Sequence, residues 1–176
     1  MRKPRVVRHE VVQPIDQSYR LIPLTQGQTA IVDADDYDWL CQWNWHAQWA
    51  ERVKMFYAAR TEHKSKILMH RAVKHATEEI EVDHRNHHGL DNRKNNLRVC
   101  NKNQNARNRQ KQSNNTSGYK GVVWVEKRKT WRAQIYVNRK RIYLGAFQTP
   151  ELAAKAYDDA AKTHHGEFAL TNLQTN

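Results

Sequence analysis

A chain of 176 residues has room for one domain or two small ones. Its net charge of +12 and pI near 9.9 point to a polyanionic partner, since phosphate neutralisation supplies most sequence-independent nucleic-acid affinity. Two cysteines, Cys41 and Cys100, with no CxxC argue against a disulfide framework or a Cys-rich zinc site, and no run of about 18 apolar residues makes a membrane span.

The charge is uneven. Residues 1–60 hold acids and bases in near balance, whereas residues 98–141 set only Glu126 against a run of Lys and Arg. The charged start, without an apolar stretch, carries no signal peptide, and an intracellular protein is expected. Residues 1–18, with Pro4 and Pro14, read as an extended arm. Residues 20–24 and 29–32 cluster β-formers around Gln26-Gly27-Gln28 and predict a hairpin. Acidic residues over 33–38 suit a helix start, followed by Tyr37, Trp39, Leu40 and Trp43. Residues 45–49, 55–59 and 67–69 predict further strands, the last leading into His70 and Arg71. Trp39, Trp43, Trp45 and Trp49 are expected in the core of this β-rich unit, because Trp buries a large area, rather than as base-stacking platforms.

Residues 82–109, VDHRNHHGLDNRKNNLRVCNKNQNARNR, concentrate the candidate chemistry. Asp83 and His84 precede a turn-rich loop, a short apolar alternation (Leu97, Val99) and an Asn- and Arg-rich segment. The order predicted is strand, loop, strand and a helix over 102–110. On a strand, Asp83 and His84 point to opposite faces, so one reaches a metal while the other reaches a nucleophile. His84 suits a general base. Asp83 and Asn105 offer hard oxygens for Mg²⁺ or Mn²⁺, with Zn²⁺ less favoured. Such a set hydrolyses a phosphodiester, the base activating water and the cation neutralising the phosphate. The stretch resembles the HNH endonuclease motif, the ββα-metal fold of homing endonucleases, at His84, Asn96 and Asn105, with Asp83 as the preceding acid. That resemblance implies His84 as general base, Asn96 as the brace of the intervening loop, Asp83 and Asn105 as metal ligands, and a phage or mobile-element origin. Many members carry histidine where Asn105 stands. Arg93, Arg107 and Arg109 are expected on phosphates, and His87 and His88 on the loop surface.

Residues 110–117 are polar and free of large apolar groups, as a linker is. Residues 119–125, 130–137 and 141–147 then alternate as three strands. Trp131, Ala133, Ile135 and Val137 take one face, and Arg132, Gln134 and Tyr136 the other; Arg141 and Tyr143 join the second face. Thr149-Pro150 predicts a helix start, and Leu152, Ala153, Ala156, Tyr157, Ala160 and Ala161 form its apolar stripe. The segments SGYKGVVW, WRAQI, RIYLGAF, ELAAKAYDDAA and HGEFALTN resemble the AP2 (ERF-type) DNA-binding domain over residues 117–172. The resemblance implies a three-stranded sheet on the major groove with one helix behind it, and contacts at Lys120, Gln134, Tyr136, Arg141 and Tyr143. Arg132, Arg139 and Lys140 are expected on phosphates. Gln134, Tyr136 and Tyr143 replace the usual Glu, Arg and Trp, so a plant-type sequence preference is not transferred.

The expected architecture is α+β. It comprises an arm (1–18), a β-rich unit leading into the ββα-metal HNH nuclease (19–110, core motif 82–109), a linker (111–116) and an AP2-like domain (117–173). The expected function is a metal-dependent, site-specific DNA endonuclease of the homing type. It would nick double-stranded DNA as a monomer, with no membrane and no obligatory protein partner, in a bacterial cytoplasm if phage-encoded. The alternative is a non-catalytic, sequence-specific DNA-binding regulator using the AP2-like sheet.

Overall fold

The computed structural model describes residues 8–108 and 115–173; residues 1–7, Arg109 and residues 110–114 of the expected linker lie outside the described residues. The chain divides into two compact units, Met1–Cys100 and Asn101–Asn176. No helix among the described residues is long and apolar enough to cross a membrane.

In the first unit, β1 (Tyr19–Pro23) and β2 (Thr29–Asp33) form the expected hairpin, turning at Gln26 and Gly27, both at positive φ. Helix α1 (Ala34–Cys41) follows, with Asp35 and Asp36 at the positive end of its dipole. Strands β3 (His46–Ala50), β4 (Met55–Glu62) and β5 (Ser65–Leu68) make an antiparallel sheet in that order. The strand expected over 67–69 stops at Leu68, and Met69 opens the short helix α2 (Met69–Val73). Strands β6 (Glu81–His84) and β7 (Leu97–Cys100) then pair antiparallel, with Asp83 opposite Arg98 and His84 opposite Leu97.

Leu24, Val32, Leu40, Trp45 and Met69 are fully buried in one core. Trp45 completes it by donating its indole N–H to the Leu40 carbonyl at 2.8 Å. The expectation of four core tryptophans is corrected in part. Trp39 packs against the core, but Trp43 and Trp49 are exposed. On β3, the small Ala47 is what meets the core; Trp49, on the same face, lies past it edge-on to Phe56, with ring centroids 5.0 Å apart. Trp43 is covered by the Arg60 guanidinium, 3.6 Å from its ring centroid.

In the second unit, α3 (Lys102–Arg107) starts with a capping box in which Asn101 and Gln104 satisfy each other's backbone N–H groups. Strands β8 (Val122–Val125), β9 (Thr130–Val137) and β10 (Lys140–Phe147) form an antiparallel sheet with β9 in the centre. Asn138 and Arg139 both adopt positive φ between β9 and β10, as a two-residue type I′ hairpin requires. Helix α4 (Pro150–His165) begins with the Thr149 hydroxyl accepting Leu152 N–H. It covers the face of Val122, Ala133 and Ile135 with Ala153, Ala154, Tyr157 and Ala161. At Gly121, φ is +77°, and a Cβ would run into the Tyr157 ring and the Gln134 carbonyl, so glycine permits this close packing.

The α+β class holds, and the three-stranded sheet with its helix lies where expected. Over 82–109 the order strand, loop, strand, helix is present as β6, β7 and α3, with α3 shorter than the predicted 102–110 and the division between the two units falling between β7 and α3.

Candidate nucleic-acid interface

The Asp83–His84 locus is a closed structure. Asp83 Oδ2 accepts Arg98 Nε at 3.0 Å and Arg98 Nη2 at 2.8 Å. Both side chains are nearly buried, at 11 % and 6 % exposure. A divalent ion at Asp83 Oδ2 would compete with a guanidinium. Asn105, the other expected ligand, lies on α3, and no group of three or more His, Cys, Asp or Glu gathers as a ligand set among the described residues. With Asp83 Oδ2 already held by Arg98, no chemical step is derived through a Mg²⁺ or Mn²⁺ ion here. His84 is buried on the inner side of β6, 4.9 Å from the His70 ring and 5.8 Å from Tyr57. Burial pushes its pKa down to about 4, so it is a weak base. His70 is buried as well; burial first, then the neighbouring His84 and Arg71, push it down to about 3.

Asn96 ties the loop between β6 and β7. Its amide donates to the Asp91 carbonyl at 2.7 Å, and its side-chain oxygen accepts Asn86 N–H at 3.1 Å. Arg93 is not free for phosphate either, because its fork closes on Asp91 at 2.8 and 2.7 Å. Burial opposes ionisation of Asp91, but the Arg93 bonds and charge overcome it and hold the carboxyl below the usual range. Main-chain bonds from Ile31 to Leu90 and from Asn92 to Ile31 clip this loop to β2. His87 is half-buried and His88 exposed.

The second unit is built in the opposite sense. With α4 on the inner face of its sheet, the outer face carries cross-strand rows in register: Val123, Arg132 and Ala146; Gln134 and Tyr143; Tyr136 and Arg141. Tyr136 and Tyr143 are 59 % and 57 % exposed, although aromatic rings of this size are normally buried. Arg139 stands exposed at the turn tip, and no carboxylate among the described residues pairs with Arg132, Arg139, Lys140 or Arg141. This face therefore gathers Arg132, Gln134, Tyr136, Arg141 and Tyr143, with Arg139 in the turn at its end. It does not gather Lys120, whose half-buried ammonium donates to the Arg107 carbonyl at 2.5 Å and whose pKa burial pushes down to about 8. Arg107 reaches Asn138 Oδ1 at 3.5 Å. Thr130, which shares the outer face with Arg132, was not among the expected contacts; its place two residues before Arg132 on an alternating strand was the available signal.

Comparison with known proteins agrees with this division. The AP2 domain family matches residues 117–167. A rice AP2/ERF and B3 domain-containing protein (Oryza sativa subsp. japonica) is 47 % identical over 58 residues, 33 % of this chain and 16 % of its own length. The AP2/ERF and B3 domain-containing transcription repressor TEM1 of Arabidopsis thaliana is 42 % identical over 60 residues, 34 % of this chain and 16 % of its own. The ethylene-responsive transcription factor ERN1 of Medicago truncatula is 36 % identical over 93 residues, 49 % of this chain and 33 % of its own. The chain thus spans a third or less of the length of these relatives.

The expectation of an endonuclease is corrected. Of these relatives, TEM1 is named as a transcription repressor and ERN1 as a transcription factor, and none of the three is named as an enzyme. The buried His84 and the Arg98-bound Asp83 give the physical reason that the motif letters misled. What the comparisons support is an AP2-type domain over residues 117–167.

Proposed function

We propose that the protein is a sequence-specific DNA-binding regulator that lays the open face of β8–β10 against the major groove of double-stranded DNA. The observation that carries this reading is the asymmetry of that sheet. One face is filled by α4, while the other presents Gln134, Tyr136, Arg141 and Tyr143 in adjacent rows with no opposing carboxylate among the described residues. The major groove, about 12 Å wide, admits strands of this kind. The plant relatives named as transcription factors support a regulator, and favour work in a nucleus over a bacterial cytoplasm.

Roles on the face follow from hydrogen-bonding capacity. Gln134 has a donor and an acceptor on one terminal group, which matches the N6 and N7 edge of adenine; Arg141 has only donors, which match O6 and N7 of guanine. Arg139 at the turn tip holds backbone phosphate, which positions the sheet without reading sequence. For the Mg²⁺ or Mn²⁺ expected at Asp83 we propose no part in this binding, so duplex affinity persists in EDTA.

Selection from a randomised duplex pool tests the reading. The wild-type protein enriches a site containing adenine, and Gln134→Glu, whose carboxylate can only accept, exchanges that adenine for cytosine. The change in preference at that position is about 1–3 kcal/mol. A wild-type pool that stays random contradicts sequence-specific binding.

A further inference from the structure

Within the second unit, a cavity of about 700 Å³ lies beside the far end of β9. Strand lengths leave the space. β8 begins at Val122, opposite Ala133, whereas β9 runs on to Val137. The Gln134 N–H still reaches the Gly121 carbonyl at 2.9 Å, but beyond it no strand among the described residues follows β9 on that side. Arg107 of α3 and Tyr157 of α4 also line the cavity, and the exposed Tyr136 and Arg139 border it, so it is open to solvent.

The lining has two kinds of surface. Val122, Ile135 and Tyr157 are apolar, while Arg107, Lys120 and Arg139 are cationic, and no carboxylate among the described residues lines the cavity. The positive field reaches His165 in the same wall. Burial lowers its pKa first, its hydrogen bond to the Tyr136 carbonyl partly offsets that, and the Arg107 and Lys120 charges lower it further. Cations gathered without an acid favour an anion, which guanidinium and ammonium groups hold by charge-assisted bonds. A bare inorganic anion would leave the apolar wall against water. The volume lies within the range of about 300–1,000 Å³ of small-molecule sites. Both surfaces are satisfied by a ligand with an apolar body and one anionic group.

We propose that this cavity binds a small organic anion, a flat apolar ring carrying one carboxylate, and that its occupancy weakens the hold on duplex DNA. The ring lies against Val122, Ile135 and Tyr157, and the carboxylate meets Lys120 and Arg107. The effect on DNA rests on the DNA-binding reading above. Arg139, which holds a backbone phosphate in that reading, also borders the cavity, so ligand and phosphate draw on one guanidinium. By linkage, bound duplex weakens the ligand by the same factor.

The full chain is titrated by NMR with 2-naphthoate, with its neutral analogue 2-naphthylmethanol and with acetate. 2-Naphthoate shifts the Ile135 methyl and Tyr157 ring signals saturably and binds ~10-fold tighter than either control. Its carboxylate also raises the titration midpoint of the Lys120 ammonium from about 8. Lys120→Met and Arg107→Gln each weaken 2-naphthoate ~10-fold. If Lys120→Met does not fold, Arg107→Gln decides alone. 2-Naphthoate that binds no tighter than the alcohol, or as tightly to Arg107→Gln as to wild type, overturns the site. Saturating 2-naphthoate lowers the duplex affinity of the wild type by about 5-fold. Ligand binding with duplex affinity unchanged overturns the effect on DNA and leaves the DNA-binding reading standing. If the wild type binds no duplex, that reading falls, and the NMR titration decides the cavity by itself.

Discussion

The two units use their charged side chains in opposite ways. In the first, Asp83 is paired with Arg98, Asp91 with Arg93 and Asp36 with Lys94, and the paired carboxylates are largely withdrawn from solvent. In the second, Arg132 and Arg141 share a sheet side with exposed tyrosines, and no carboxylate among the described residues pairs with them. A buried, paired charge holds structure together and is costly to disturb. An unpaired, accessible charge beside aromatic surface is available to a partner. In this chain, motif letters drew attention to the first arrangement, while the physical openness belongs to the second.

Substitutions that separate stability from binding sharpen this contrast. The largest effect is expected for Asp83→Ala, which strands the buried Arg98 guanidinium. It should destabilise the first unit by about 3–5 kcal/mol in chemical denaturation, with duplex affinity unchanged wherever the protein remains folded. A loss of DNA binding at full stability would reverse the assignment of the two units.

Acidification comes next. His70 and His84 have folded-state pKa values of about 3 and about 4, below the ordinary value, so the unfolded chain takes up protons first as pH falls. Their contribution to stability is complete above pH ~6.5 and drains between there and the folded-state values. By pH 5 the pair should cost the first unit roughly 3 kcal/mol relative to pH 7. Denaturation midpoints at the two pH values check this, and a His70→Phe, His84→Phe double variant should flatten the difference.

Smaller still is Arg141→Ala, on the exposed face. Specific duplex binding should weaken by about 1–3 kcal/mol in a titration against the selected site, with no change in the melting of either unit.

Much of the second unit was legible because its strands alternate cleanly. Ala133 and Ile135 went inward and Gln134 and Tyr136 outward as period-two patterning requires. Helix α4 was legible at its start and less so along its stripe. Leu152 is exposed, whereas Asp158 is buried, accepting the backbone N–H groups of Asn172 and Leu173. That choice depends on a tail contact distant in sequence, which helical periodicity does not record. Lys120 likewise looked like a contact residue in one dimension and turned inward because the α3 carbonyl of Arg107 accepts its ammonium. At Asp83 the information was present but unused. A strand pair closing the loop from 85 to 96 puts Arg98 opposite Asp83, and opposite charges in that position pair across strands. Residue spacing displayed a motif there; the register showed that its carboxylate was already engaged.

The contrast is tested most directly by an NMR titration of the full chain with the selected duplex, following side-chain signals. The expected result is a set of shifts at Gln134, Arg132, Arg141 and Tyr143, while the Arg98 guanidinium and the His84 ring keep their positions. Shifts centred on Arg98 and His84, with the outer face of β9 and β10 silent, would contradict it.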